Sequence, residues 1–231
     1  LVTHLMRQDK KKVRNVWGFV PPPLVREGMK AQPAWLHQFL LNPTETRPAV
    51  LLRMPRFNMT NDEAAHLAAY FAAVDGAEYP YEHIRQRDSD YISQQDAKHA
   101  NYLKDAWSLL LFEPKGEVKS DQKLCAACHR VGTKQPSGES FSERGPNLVL
   151  APERLRPDWL RQWLTQPSRL LPFTIMPNNF AKSTEEQFGE YFKGTSEEQI
   201  IGVRDAIMNY HQVQQDELAE KPKTQAPSGG Q

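Results

Sequence analysis

Only two cysteines occur in 231 residues, and both fall in one pentapeptide, Cys125-Ala126-Ala127-Cys128-His129. No disulfide framework can therefore hold this chain together. No second cysteine pair is available for a four-ligand zinc site either. Charge of one sign is also lacking: 29 Lys and Arg stand against 28 Asp and Glu, which gives no ground for expecting a nucleic acid as partner. No run of 18 apolar residues is present, so no transmembrane segment is expected. Leu1-Val2-Thr3-His4 lacks both an initiator methionine and an apolar h-region, so the chain is expected to be a processed form or a fragment. What the chain has instead is proline, 18 of them, with a hydrophobic share of 39% and an aromatic share of 10%. That composition supports a core with much loop around it, and the length suits two domains of about 100 residues.

Two thiols three positions apart lie on one helical turn, where they can form thioethers to the two vinyl groups of a haem. The histidine that follows then carries an imidazole to the iron. A thioredoxin-like redox pair would need a strand before it, whereas residues 115–123 are polar and the flanks look helical. A disulfide across two residues would close too small a loop to stabilise much. Cys125, Cys128 and His129 are thus expected to attach one haem c covalently, with His129 on the metal.

A sixth iron ligand should lie downstream, and Leu171-Pro172-Phe173-Thr174-Ile175-Met176-Pro177 offers a methionine in a proline-bounded loop. A core methionine filling a gap is the plainer reading of Met176. The order CxxCH, then Gly145-Pro146-Asn147-Leu148, then Met176-Pro177 resembles the class I cytochrome c family. That resemblance implies a mostly α fold and a His129/Met176 pair on the iron. It also implies that the Pro146 carbonyl accepts a hydrogen bond from the proximal imidazole, and that Thr174 bonds a haem propionate. Trp159 is a candidate for contact with the haem or a propionate, since a buried indole N–H seeks a partner, although a plain core aromatic fits as well.

The chain also repeats itself. At an offset of 124, Pro22, Leu24, Val25, Pro33, Trp35, Leu36, Gln38, Leu40, Pro43 and Pro48 meet identical residues, from Pro146 to Pro172. The phase then slips by two, so that Met54-Pro55 meets Met176-Pro177. Two copies of one structural unit follow from such self-similarity. Residues 1–80 are expected to form a degenerate cytochrome-c-like domain, residues 81–216 a monohaem domain, and residues 217–231 a disordered tail. Arg53-Met54-Pro55 and Phe57 ahead of a haem-bearing copy look like multidomain bacterial c-type cytochromes, of a kind common in planctomycetes. The first copy is expected to be haemless, because the offset lays Leu1-Val2-Thr3-His4-Leu5 over the attachment motif and Pro21 over Gly145. Trp17, Phe19, Trp35 and Phe39 would fill its pocket. Two other readings stand beside this: an upstream segment with a further motif, or a non-covalent haem held by His4 and Met54.

Helices are expected in both copies. The shared Pro-x-Trp-Leu pattern predicts a short helix started by proline and stopped near Pro43 and Pro167, with Trp35 over Phe39 and Trp159 over Trp163. Thr60-Asn61-Asp62-Glu63 and Thr195-Ser196-Glu197-Glu198 read as capping boxes that open the last helix of each copy, the first ending at Gly76. Residues 102–112 should supply the helix that crosses the second of these. A further cap is expected at residues 183–186. Residues 79–98 read as the connection plus the approach to the second copy's first helix, and His37, His66, His83, His99 and His211 as surface residues. Lys10-Lys11-Lys12, with Arg7 and Arg14, reads as a solvated face or a steering patch for an acidic partner.

These readings predict outer-sphere electron transfer without catalysis. The chain would be a soluble carrier, or the cytochrome c subunit of a larger oxidoreductase such as a membrane-bound respiratory complex, with redox proteins as partners. The resemblance places it in the periplasm or on the outer face of the bacterial inner membrane. The rival is a haem enzyme or gas-binding module with an open sixth iron position.

Overall fold

The computed structural model describes residues 21–49, 52–111, 125–136, 144–172, 174–180 and 188–220. The chain is mostly helical: 58% of the described residues are in helix, and no strand occurs among them. No described helix is long and apolar enough to cross a membrane. In chain order the helices are α1 (Glu27–Lys30), α2 (Pro33–Leu41), α3 (Asn61–Asp75), α4 (Ser89–Lys98), α5 (Tyr102–Leu111) and α6 (Cys125–Cys128). They continue with α7 (Ala151–Arg154), α8 (Pro157–Thr165), α9 (Pro167–Leu170), α10 (Ser196–Met208) and α11 (Tyr210–Glu220).

The repeat is visible residue for residue, because α1 and α2 begin and end 124 positions before α7 and α8. Proline occupies the first turn of both α2 and α8, where its missing N–H costs no helical hydrogen bond. Each helix buries a leucine pair, Leu36 with Leu40 and Leu160 with Leu164. On the neighbouring face the rings stack as their i, i+4 spacing predicts, at 4.7 Å for Trp35 on Phe39 and 5.2 Å for Trp159 on Trp163. Both predicted capping boxes form. The Thr60 hydroxyl accepts from the Glu63 amide and the Glu63 carboxylate from the Thr60 amide, with the same exchange between Thr195 and Glu198. Gly76 ends α3 at φ 63°, a left-handed conformation that glycine reaches without strain.

Two hydrophobic clusters result. The smaller joins Ala31, Leu36, Leu40, Ala64 and Ala68, with Met54 and Phe71 packed against it. Gly28 lets α1 lie against α3, since a Cβ there would run into the Phe71 carbonyl. The larger is built where α10 crosses α5, with Ala106, Trp107, Leu110, Val203, Ala206 and Ile207 at its centre. Gly202 makes that crossing close, for a Cβ would stand 3.3 Å from Ala106 and 2.9 Å from the Phe192 ring.

The two units meet through their own equivalent residues. Ala31 and Leu155, 124 apart, form an antiparallel bridge. The Gln32 amide donates to the Arg154 carbonyl and the Arg156 amide to the Lys30 carbonyl, both at 2.9 Å. Side chains follow the same exchange: Gln32 donates to the Leu155 carbonyl at 2.7 Å and Arg156 to the Ala31 carbonyl at 3.1 Å. Arg154 lies over the Trp35 ring and Lys30 over the Trp159 ring, at 5.0 and 6.0 Å from the centroids. Each of these contacts of one repeat on the other is thus returned by its counterpart, which is the mark of an isologous, two-fold contact.

Two expectations need correction, and a third gains detail: within residues 79–98, the connection and approach to the second copy, a 3₁₀ turn (Arg85–Arg87) and α4 occupy the second half. Arg87 donates to the Met208 and Pro152 carbonyls, so this stretch is fixed to the second unit. His99 is not a surface residue, because its ring stacks on Phe192 at 4.0 Å and pairs with Asp105 at 2.7 Å. The tail does not start at 217, because α11 runs to Glu220 and Glu217 accepts a hydrogen bond from the Trp107 indole at 2.9 Å. The expectations for residues 1–19 and for the cap at 183–186 lie outside the described residues, as does the tail from 221 on.

Under the crossing of α5 and α10 sits a polar network that composition did not announce. Asp205, fully buried, accepts from the hydroxyls of Tyr91 at 2.8 Å and Tyr102 at 2.7 Å, and from the Arg204 Nε at 2.7 Å. Burial, reinforced by the Asp205 charge, pushes the Tyr91 phenol up to about 12 and the Tyr102 phenol well above its usual range. The folded chain therefore keeps phenolic protons that the unfolded chain loses above about pH 10. Their contribution to stability is complete below that pH and is lost as the pH climbs toward 12. Denaturant unfolding followed from pH 8 to 12 should show this decline, and Tyr91→Phe should make it shallower. An unchanged slope in the variant would remove the phenols as its cause.

Candidate functional site

Helix α6 is a single turn, CAAC, that places two thiols on one side of itself; neither cysteine is in a disulfide. The His129 amide donates to the Cys125 carbonyl at 2.8 Å, so the histidine continues the turn and its ring leaves close to the thiols. Burial pushes the Cys125 thiol up to about 11, which keeps it protonated at neutral pH.

The segment that begins at Arg144 is tied back onto this turn. The Gly145 amide donates to the Cys128 carbonyl at 2.8 Å and the Leu148 amide to the Arg130 carbonyl at 3.1 Å. Between these two ties the Pro146 carbonyl lies 2.6 Å from His129 Nδ1. A carbonyl can only accept, so Nδ1 carries the proton and Nε2 offers its lone pair. Burial holds the imidazole below its ordinary pKa, against the opposing effect of the Pro146 bond, and the ring is neutral. Gly145 is obligatory at this point, because a Cβ would collide with the His129 ring. This is the contact that the Gly-Pro-x-Leu element implied, and the structure supplies a separate reason for its glycine.

The other candidates fall into two groups. Met176, partly buried, packs against the larger cluster, as do Cys125, Leu148, Val149 and Leu155. Its amide donates to the Thr174 hydroxyl at 3.1 Å, so Thr174 shapes the turn that presents the methionine. Trp159 is drawn elsewhere: its partners are Trp163 and, across the repeat junction, Lys30. Sequence reasoning missed the part taken by the first repeat. Glu45, Thr46 and Pro48 line a cleft with Arg130, Arg144, Gly145 and Asn147, and Gly145 abuts the His129 ring. No local signal could have shown this, since the two walls lie about a hundred residues apart.

The donor set suits a covalent c-type haem: adjacent thiols, a neutral imidazole with its outer nitrogen free to coordinate, and a thioether on the same cluster. Among the described residues no group of three or more His, Cys, Asp or Glu could hold a metal ion by themselves. No known protein family, characterised protein or solved structure matches the chain.

Proposed function

We propose that this chain transfers electrons through one haem c bound covalently by Cys125 and Cys128, with His129 and Met176 as axial ligands, in a tandem of two cytochrome-c-like domains. One observation carries the reading: a CxxCH turn whose histidine is held by the Pro146 carbonyl, with Gly145 pressed against its ring. That bond fixes the tautomer that can coordinate and makes the imidazole a stronger donor.

When bound, haem would supply a one-electron couple, with Cys125, Cys128, His129 and Met176 holding it. The two thiols anchor the porphyrin whatever its sixth ligand. Met176 would supply the remaining iron ligand, and a thioether there would favour the reduced state and so raise the potential. With both positions taken by side chains, small molecules are kept off the metal. The chain then works as an exported carrier, or as the cytochrome subunit of a larger redox complex, and the chemistry of that complex is done by its other subunits.

Met176→Ala tests the assignment. The variant should keep its haem covalently attached, and its ferrous form should bind carbon monoxide while the wild type does not. Equal binding by both would show an open iron and favour the gas-binding rival. A pyridine haemochrome assay on the same samples should give one covalent haem per chain; two haems, or any that acid acetone extracts, would overturn the expectation that the first repeat is haemless.

A further inference from the structure

At the junction of the repeats, beside the Ala31–Leu155 bridge, three cations face one carboxylate. Lys30 is bound to Glu27 at 2.8 Å, and both side chains are mostly buried. Arg154 comes from the other repeat and lies over the Trp35 ring, yet its Nε is fully buried and without a hydrogen-bond partner. Arg47, partly buried, makes no hydrogen bond or ion pair among the described residues, although it lies within electrostatic range of Glu27, Lys30 and Arg154. Burial depresses the proton affinity of all three cations, and Arg47 adds its like charge to Lys30 and Arg154.

Glu27 forms an ion pair with Lys30 alone, although its charge also reaches Arg47 and Arg154. Aromatic faces recover part of the cost of the others. A buried guanidinium nitrogen with no acceptor is still unusual in a native fold and calls for an explanation. The other ion pairs nearby are already complete: Arg156 is bound to Glu82 and to the Glu78 carbonyl, and Arg53 to Glu45. The missing partner is an anion with oxygen acceptors.

We propose that Lys30, Arg47 and Arg154 form an oxyanion site at the junction of the two repeats, walled by Trp35 and Trp159, that takes a carboxylate or phosphate group. Guanidinium groups bind such groups through paired, charge-assisted hydrogen bonds. The oxyanion has two possible sources: a free ion from solution, or a carboxylate of the haem itself, and the second rests on the haem reading above. Because Arg154 and Lys30 come from different repeats, an oxyanion held there also ties the repeats together.

The test uses the full-length holoprotein, with Arg47→Gln and Arg154→Gln as variants and the exposed Arg161→Gln as control. Thermal midpoints are measured against inorganic phosphate at constant ionic strength, and haem midpoint potentials on the same samples. For a free ion, phosphate raises the wild-type midpoint, and either junction variant needs at least about tenfold more phosphate for the same rise. For a haem carboxylate, phosphate has no effect, while both junction variants lower the potential because a neutralising cation has gone. Arg161→Gln should do neither. Should Arg154→Gln fail to fold, Arg47→Gln, on a loop, still reads both arms. If Arg47→Gln changes neither the phosphate dependence nor the potential, the site does not exist. A chain without haem in the haemochrome assay would defeat the haem reading alone, and the phosphate arm would still decide the site.

Discussion

His129→Ala, or Cys128→Ser, is expected to leave no stable holoprotein in the second unit. Cys125, Leu148, Val149, Leu155 and Met176 form the partly buried margin of the larger cluster, and a haem seated there would complete their burial. A group that binds only the folded state stabilises it through its own affinity, so losing the attachment removes that contribution from the whole unit. Haem content and the thermal midpoint are the measurements. The smaller cluster around Leu36, Leu40 and Ala64 draws on none of these residues and should keep its helices. A variant that matures normally with the wild-type haem spectrum would take away the basis of the functional reading.

Asp205→Ala should be the most destabilising change away from the CxxCH motif. It strips one acceptor from Tyr91, Tyr102 and Arg204 at once, and leaves a largely buried guanidinium without its counter-charge. Breaking a buried pair from one side costs about 3–5 kcal/mol. Asp205→Asn keeps the shape and one acceptor oxygen, and should cost less. Denaturant midpoints at pH 7, compared at equal slope, give the numbers. A loss below about 1 kcal/mol for the alanine variant would mean that the network is solvated rather than sealed.

The local features were legible because each is written in neighbouring residues. Thr60 with Glu63, Thr195 with Glu198, Gly76, and the paired rings on α2 and α8 all act within four positions. The contact of Pro146 with His129 reaches further and was readable only through the order of the motifs. What stayed hidden depends on residues that meet from afar. Asp205 beside Arg204 looks like a solvated pair until α4 and α5 bring two tyrosines to it. His99 has polar neighbours in sequence, and nothing near it announces Phe192. Helix α4 buries none of its residues, so its pattern carried no apolar stripe to find. Val213 and Tyr210 bury themselves in the larger cluster and draw α11 onto it, past the point where composition turns polar.

The repeat showed that there are two units and was silent on which faces they share. Since Ala31 meets its own equivalent Leu155, and the contacts of Gln32 on Arg154 and of Arg154 on Trp35 are matched by those of Arg156 on Lys30 and of Lys30 on Trp159, one unit alone carries a surface shaped to receive a copy of itself. The peptide between the units turns what would be a concentration-dependent dimer into a tethered pair, because each half always has its mate at high effective concentration. Dilution cannot part them, because their meeting is an event within one chain.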